Sequence, residues 1–546
     1  MKQVVVSNIA KLLARDVVIE KPKDKNLAHY ATPLAFSLAK ELKKSPAVIA
    51  NELVEKFDGC EIFSATAVNG YINFKLSGDF LDDLASEALK NSDEFARFGR
   101  VASSFNKDEL SPNKANQAKN SLLLEYISAN PTGPLHIGHV RGAVYGDTLA
   151  RVGRHLGFDI KTEYYINDAG NQIDLLGLSI RLAAREVLFG ESVQYPEKYY
   201  RGEYIIDIAR AALDKFGKGI FDENENARLA DFGKDFVLEI IKKDLADAGI
   251  FIDSWASERA LYSQLEPTLK KLEKSGEVYV KDGATYIASS KLGDDSDRVV
   301  VRDDGRPTYL AGDIIYHEDK FKQNYAKYMN IWGADHHGYI ARLKAAIHFL
   351  GYDENRLDIV LMQMVSLLKD GKPFKMSKRA GNSVLMSDIL AEIGADALRY
   401  IFISKANTSS LEFDIDELKK QDNSNPVFYI NYAHARIHQL FAKANKSVDD
   451  VKGANISSLN DAAKNLLFEA LTLAEVLNDA YSSYQLHKLP DYLKTLAASF
   501  HKFYNENKIV GSDDEDAFLK VLAVVALSIK TGLNLIGIEA KKIMSV

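Results

Sequence analysis

Two histidines three residues apart, His136 and His139, follow a Pro/Gly turn, Pro131-Thr-Gly-Pro134, which itself follows an apolar run, Leu122-Leu-Leu-Glu-Tyr-Ile127. If a helix begins at about His136, both imidazoles project on one side of its first turn. Free backbone N–H groups and the helix dipole already favour anions there. Imidazoles at that end therefore suit a phosphate that gains negative charge in a transition state. Gly138 between them leaves room for a flat ring such as adenine to approach the backbone. A second cationic element lies far downstream, in Phe374-Lys-Met-Ser-Lys-Arg-Ala-Gly-Asn382. Lys375 and Lys378 are point charges on flexible stems, suited to following pyrophosphate as it leaves a nucleotide. Singly, each element has an ordinary explanation: a histidine pair can be a helix cap or half a metal site, and a lysine run is usually a solvated surface.

The elements that must position these residues can be read from hydrophobic periodicity. From Met1 to about Gly78 the chain reads as a small α+β unit. Ala31, Leu34, Ala35, Leu38 and Leu42 recur at helical spacing within Tyr30 to Leu42, and Tyr71-Ile-Asn-Phe-Lys-Leu76 alternates like an edge strand. Asn106 to Ser121 is polar and loses apolar periodicity, as a linker does, which puts a domain boundary near residue 118. The run Leu122 to Ile127 reads as a buried strand, the Pro/Gly segment as a turn, and His136 to Leu156 as a helix. Lys161–Ile166, Tyr309–Ile315, Tyr328–Ile331 and Ile359–Met362 read as further strands of a parallel α/β sheet, with helical patterns between them. The span from about 175 to 256 is mostly amphipathic helix and reads as an insertion into that sheet. From about Leu411 onward no strand pattern survives, and Asn425 to Val546 reads as a helical bundle. The expected architecture is α/β: residues 1–118 an N-terminal α+β domain with linker, 119–410 a doubly wound, Rossmann-like parallel-sheet domain with a helical insertion, and 411–546 an all-α bundle.

Composition narrows the classes further. With 46% hydrophobic and 27% charged residues in 546, the chain matches globular proteins of several domains. The net charge of -7, from 69 basic and 76 acidic residues, gives no global nucleic-acid signature, so any RNA contact must use local patches. One cysteine, Cys60, excludes a disulfide framework and a multi-thiolate zinc site, and fits the cytoplasm. The N-terminus lacks a signal-peptide core, no stretch approaches the ~20 apolar residues of a membrane span, and Val521 to Ile529 is short enough for a buried helix. His336-His337 and His348 raise zinc as an idea, but no His-Glu-x-x-His accompanies them, so no metal site is expected. No Gly-x-x-x-x-Gly-Lys-[Ser/Thr] occurs, nor a Gly-x-Gly-x-x-Gly after a strand, which disfavours a P-loop enzyme.

In this order, the His136-Ile-Gly-His139 segment resembles the signature of class I aminoacyl-tRNA synthetases and related nucleotidylyltransferases, and Lys375-Met-Ser-Lys378 resembles the Lys-Met-Ser-Lys-Ser motif of the same enzymes. Arg379 stands where that motif ends in serine, which leaves that position's role open. A nucleotidylyltransferase would be a single short domain and would not explain the helical C-terminal region. A synthetase-like RNA-binding protein without activity is disfavoured by the joint presence of His136, His139, Lys375 and Lys378. Cysteine specificity within the class commonly relies on thiolate zinc, which one cysteine cannot build.

Across nearly the whole chain the motifs resemble the arginyl-tRNA synthetases. They include Tyr30-Ala-Thr, Ser128-Ala-Asn-Pro-Thr-Gly-Pro, Tyr165-Ile-Asn-Asp-Ala-Gly-Asn-Gln172, Thr308-Tyr-Leu-Ala-Gly-Asp313, Gly333-Ala-Asp-His-His-Gly338 and Asn425-Pro-Val-Phe-Tyr-Ile-Asn-Tyr-Ala-His-Ala-Arg436. A guanidinium with five donors needs an acceptor-rich pocket, and Asp313 and Glu125 are the acids expected at the sheet's C-terminal edge. Glu125 reads equally as the partner of a buried base. The resemblance implies that Asp313 and Tyr309 hold the guanidinium, and that Glu125, Ser128, Asn130 and His136 surround the rest of the amino acid. It also implies that His136, Gly138, His139, Lys375, Met376, Ser377 and Lys378 bind ATP with Mg2+, catalysis falling to His136, His139, Lys375 and Lys378. The implied partners are tRNA(Arg), L-arginine and ATP, the implied state a cytoplasmic monomer, and the first step is expected to need bound tRNA. The N-terminal domain, through Asn69 and Tyr71, would meet the tRNA elbow. The bundle would read the anticodon, with Tyr429 and Tyr432 on one helix face as stacking surfaces and Met544 close to the same loop. As bundle core, either tyrosine has an ordinary reading too.

Overall fold

The computed structural model describes residues 1–24, 26–97, 120–374 and 384–544. The described residues of Met1–Pro112, Gln421–Ser483 and Lys488–Val546 form one compact unit, and those of Asn113–Lys420 with Tyr484–His487 the other.

In the first unit, strands β1 (Tyr30–Thr32), β2 (Phe63–Val68) and β3 (Tyr71–Leu76) form an antiparallel sheet in the order β1-β3-β2. β3 is therefore the central strand, not an edge, because Ile72, Asn73 and Phe74 are buried between two neighbours. The helix expected over Tyr30–Leu42 begins only at Leu34, Pro33 standing at its N-cap, and Ala31 belongs to β1. β2 and β3 join through Asn69-Gly70, both at positive φ, the two-residue turn whose twist suits a hairpin. Gly70 is required on a second count: a Cβ there would lie 2.8 Å from the Phe36 ring.

The bundle comprises Pro426–Ala444, Asp461–Leu471, Leu473–Ser482, Lys488–Glu506 and Glu515–Ile536, with a short helix at Val448–Val451. The apolar run is longer than Val521–Ile529 alone suggests: Glu515–Ile536 is long and apolar enough to cross a membrane by length and composition, but 78% of its most apolar window is buried in the bundle. It is a core helix. The β1–β3 region and the bundle share this unit through buried polar contacts. Lys520, 1% exposed, donates to Asp82 (2.7 Å), Ser86 (2.8 Å) and the Ala454 carbonyl (2.7 Å). His29 pairs with Asn465, and the Tyr30 hydroxyl donates to Glu475.

The second unit is built on a five-stranded, all-parallel sheet of β4 (Ser121–Glu125), β5 (Asp159–Ile166), β6 (Ser254–Ser257), β10 (Lys327–Gly333) and β11 (Leu357–Met362), in the order β11-β10-β4-β5-β6. Two smaller sheets join β7 (Val278–Lys281), β8 (Ala284–Ile287) and β9 (Arg298–Val301), and β12 (Val365–Lys369), β13 (Lys372–Pro373) and β14 (Leu411–Asp414). The chain winds outward from β4 through β5 to β6, then restarts on the other side of β4 with β10, so the strand order reverses between β4 and β10. Ligands of open α/β sheets bind outside the strand C-termini at such a switch point.

Two expectations are corrected here. Tyr309–Ile315 is the first half of a helix, Tyr309–Lys322, not a strand. Leu310, Ala311, Ile314 and Ile315 are buried at helical spacing, and an apolar run of that length cannot separate strand from buried helix. Leu411–Asp414 is a strand, paired parallel with β12, so strand structure persists slightly past 411. The insertion holds Asn171–Ala183, Glu203–Phe216 and Asn226–Asp247, and the chain returns to the sheet as β6.

Candidate active site

The helix Ile137–His155 starts where β4 has delivered the chain to the sheet's C-terminal edge. Its approach is strained. The Ser128 N–H bonds back to the Tyr126 carbonyl (3.1 Å) around Ile127 at φ 73°, a γ-turn of the rare positive-φ kind, and Ser128 itself sits at φ 44°. A β-branched residue at positive φ is unusual, and this one lies between two sets of site residues. Behind it, Gly146 of the helix packs so closely that a Cβ would lie 2.4 Å from the Tyr126 ring.

His136 is the N-cap, and both imidazoles accept from backbone N–H groups of the first turn. His136 Nδ1 accepts from the Gly138 N–H (3.1 Å), and His139 Nδ1 accepts from the His136 N–H (3.2 Å), with ring centroids 3.8 Å apart. Because both Nδ1 atoms accept, each neutral ring carries its proton on Nε2, which is left to donate outward. Burial lowers the His136 pKa, and burial together with the neighbouring His136 lowers that of His139 to about 3. The pair is therefore two neutral donors rather than a cationic cluster. Gly138 is also needed by the pair itself, since a Cβ there would come within 3.0 Å of the His136 ring. The Ile137 N–H bonds to the Val384 carbonyl (2.9 Å) and the Met386 N–H to the Leu135 carbonyl (2.8 Å). Lys375, Met376, Ser377 and Lys378 lie outside the described residues.

Glu125, at the end of β4, is 6% exposed and paired with Lys320, which is fully buried. Its other oxygen accepts from Ser128 Oγ (2.9 Å), and Ser128 Oγ accepts from the Tyr165 N–H (3.0 Å). Lys320 also donates to Asn330 Oδ1 (2.7 Å), Asn330 Nδ2 bonds His317 Nε2 (2.8 Å), and His317 Nδ1 bonds the Asp313 carbonyl (2.7 Å). One buried lysine thus ties β4, β10 and the helix Tyr309–Lys322 together. The structural reading of Glu125, as partner of a buried base, is realised in this geometry.

Asp313 lies in the second turn of that helix. Its Oδ2 accepts from the Tyr339 hydroxyl (2.6 Å), and burial pushes its pKa up to about 7 despite that bond. Sequence reasoning missed its companion, Glu258, which follows β6 directly and is 5% exposed. Burial, then the negative charge of Asp313, pushes Glu258 up to about 7 as well. Glu258 Oε1 accepts a long bond from Tyr262 (3.3 Å), the Ala169 backbone N–H also favours the carboxylate, and Oε2 is buried without a hydrogen bond within 3.5 Å among the described residues. Glu258 can sit this close only because residue 312 is glycine: a Cβ there would lie 2.4 Å from Oε1. Its position after a strand at the C-terminal edge was the available signal. Two buried acids thus lie near each other, Asp313 raising the pKa of Glu258, and the negative charge of both acts on the hydroxyls of Tyr165 and Tyr262. Tyr309 is 62% exposed at the start of the same helix, and Asn130 is exposed in the loop before His136.

The remaining expected residues lie in the other unit. Asn69 and Tyr71 flank the hairpin tip, where Lys23 sits 4.7 Å from the Tyr71 ring centroid. Tyr429 and Tyr432 both pack on the His501 ring (4.8 and 5.7 Å), and Arg436 lies over Tyr432 and Tyr504 (4.5 and 4.6 Å). Met544 lies three residues past Lys541, whose backbone bonds Asn431 and His434 on the same helix as the two tyrosines.

The chain matches the family models for the arginyl tRNA synthetase N terminal domain over residues 1–76, the class I (R) tRNA synthetase catalytic domain over 100–440, and the DALR anticodon binding domain over 430–544. It is 71% identical to the arginine–tRNA ligase of Campylobacter curvus over 542 residues, 99% of either chain, and 58% identical to that of Campylobacter jejuni over the whole of both. The chain belongs to the arginyl-tRNA synthetases. The synthetase is also similar to the crystal structure of a putative arginyl-tRNA synthetase from C. jejuni, at TM-score 0.80 and 57% identity over 86% of this chain and all of that one. It shares its fold with the Thermus thermophilus arginyl-tRNA synthetase, at TM-score 0.76 and 21% identity over the full length of both. Its activity is therefore ATP-dependent activation of L-arginine and transfer to tRNA(Arg), with release of AMP and pyrophosphate. The synthetase takes ATP, arginine and tRNA as its reactants.

Proposed function

We propose that Glu258 and Asp313 together hold the guanidinium of arginine, and that His136 and His139 donate from Nε2 to the ATP phosphates. The observation that carries this reading is the pair of buried acids sharing one pocket, with an oxygen of Glu258 unpartnered. A guanidinium would supply charge and several donors at once, which a lysine ammonium cannot do in the same planar geometry. Tyr309 would close over the head group, and Ser128, Asn130 and Glu125, held by Lys320, would set the position of the amino-acid backbone.

On this reading the arginine carboxylate attacks the α-phosphorus in line, pyrophosphate departs, and arginyl-adenylate remains. The 2′-hydroxyl of the terminal adenosine then attacks the carbonyl carbon and AMP leaves. Neutral imidazoles aimed at the phosphates stabilise the developing charge as donors, without a proton transfer of their own. Lys375 and Lys378 would follow the departing pyrophosphate, Gly138, Met376 and Ser377 would line the nucleotide, and Mg2+ would arrive on the triphosphate. Asn69 and Tyr71 would meet the tRNA elbow, while Tyr429, Tyr432 and Met544 would lie against the anticodon loop. The tyrosine, histidine and arginine rings and planes gathered around His501 suit stacking on unpaired bases. The synthetase would work as a cytoplasmic monomer, without zinc, and would need tRNA for the first step. Three domains, 1–118, 119–410 and 411–546, would divide these tasks.

The test is pyrophosphate exchange with each standard amino acid, with and without tRNA. Exchange with arginine alone, dependent on tRNA, is expected. Replacing Asp313 by Ala should raise the KM for arginine far more than that for ATP, and equal changes in both would refute the pocket assignment.

A further inference from the structure

We propose that Tyr484 is a positioning residue for the synthetase reaction, tethering the helix that carries His136 and His139; this rests on the role proposed for those histidines. The residue lies in the bundle sequence, just after the helix Leu473–Ser482 and before Lys488–Glu506. Tyr484–His487 nevertheless packs as part of the catalytic unit, although the helices on either side belong to the other unit.

Two hydrogen bonds hold it there. The Tyr484 carbonyl accepts from the hydroxyl of Tyr145 (2.7 Å), which is 4% exposed in the middle of Ile137–His155. The Tyr484 hydroxyl donates to Asp358 on β11, and Asp358 is also bonded by Lys327 of β10 (3.2 Å). One residue therefore joins the histidine-bearing helix to two strands of the sheet on which the site is built. Tyr145 lies one turn after Arg141, on the same helix face. Arg141, itself 1% exposed, donates to the carbonyls of Gln363 (2.9 Å), Ser409 (2.7 Å) and Ala406 (2.8 Å). The helix is thus held at successive turns, once from within the catalytic sequence by Arg141 and once from the bundle sequence by Tyr484.

The backbone supplies the second argument. Tyr484 is the first residue past the helix cap Ser483 and adopts φ 57°, the left-handed conformation that glycine takes at this position without cost and a tyrosine takes only against steric resistance. The bond from its hydroxyl to Asp358 offsets part of that resistance. Since residues 430–544 match the anticodon binding domain, the tether makes the placement of His136 and His139 depend on a loop of that domain.

Tyr145→Phe removes the bond to the carbonyl, and Tyr484→Phe the bond to Asp358. Both should be prepared in the full chain, alone and combined. Arginine-dependent pyrophosphate exchange and aminoacylation should then be measured with saturating tRNA(Arg), alongside the KM for tRNA and thermal unfolding. Each single variant is expected to lower kcat about tenfold, the effect of losing one positioning hydrogen bond, with the KM for tRNA within about twofold of the parent. The double variant should be little worse than either single one, because both bonds belong to one tether. Unchanged kcat in both single variants would overturn the proposal. So would a KM for tRNA that rises in step with the loss, a drop in unfolding temperature large enough to explain it, or losses that multiply to about a hundredfold in the double variant. Failure of the site reading itself would look different: His139→Ala would then turn over normally.

Discussion

Replacing Glu258 by Gln keeps the side-chain shape and its Tyr262 contact and removes one charge from a pocket that holds two. In the unliganded synthetase that charge works against folding. Glu258 titrates at about 7 instead of 4.5, because it is buried and faces Asp313. A carboxyl whose pKa is raised by folding contributes fully below its unfolded value, and that contribution is lost as pH rises through the folded value. At ~1.4 kcal/mol per unit the penalty reaches on the order of 3 kcal/mol above pH 7. Glu258→Gln should therefore match the parent near pH 4 and exceed it in stability by about 2–3 kcal/mol at pH 8, read by urea unfolding at both pH values. Function should move the other way. Losing one charged partner of the guanidinium, worth about 1.5–3 kcal/mol, should raise the KM for arginine about 10- to 150-fold while the KM for ATP changes little. The parent's own KM for arginine should fall as pH rises from 6 to 8, since arginine requires both acids ionised. A variant that is less stable at pH 8, or whose KM for arginine is unchanged, would refute the two-acid pocket.

His139→Ala should lower kcat by about two to four orders of magnitude, and His139→Gln, which places an amide donor near the Nε2 position, should retain more activity than the alanine variant; equal losses would argue against a neutral donor. Lys320→Met leaves Glu125 buried without its cation and should destabilise the synthetase by about 3–5 kcal/mol, with Glu125→Gln added in the same chain restoring much of it, as checked by denaturant unfolding. Gly312→Ala drives a methyl into Glu258 and should raise the KM for arginine with little effect on that for ATP, because the added Cβ meets Glu258 and Tyr165 and not His136 or His139; steady-state kinetics with each substrate varied in turn would decide it.

The loop and helix around His136 and His139 were legible because short-range patterns specify them. An apolar run, a Pro/Gly turn and a helix start fall within about twenty residues, and each is set by local backbone sterics. The same holds for the amphipathic helices of the bundle, whereas the place of Tyr71–Leu76 at the centre of its sheet depends on partners remote in sequence. The helix Tyr309–Lys322 was misread because a short apolar run is compatible with either period when both faces are buried.

What sequence by itself determined, then, was the chemistry available: neutral-capable imidazoles at a helix start, acids at a sheet edge, aromatic pairs on a helix face. Only tertiary structure decided which groups act together. Glu258 lies 55 residues from Asp313 in the chain, and nothing local couples them; they come together because the end of β6, followed directly by Glu258, meets the helix that carries Asp313, and Gly312 admits the contact. The protonation of the histidines was likewise undecided by residue type, since it depends on burial and on backbone N–H groups that point at Nδ1 only once the turn has formed. Long-range electrostatics follow from distance and desolvation, and neither is written in the order of residues along a chain.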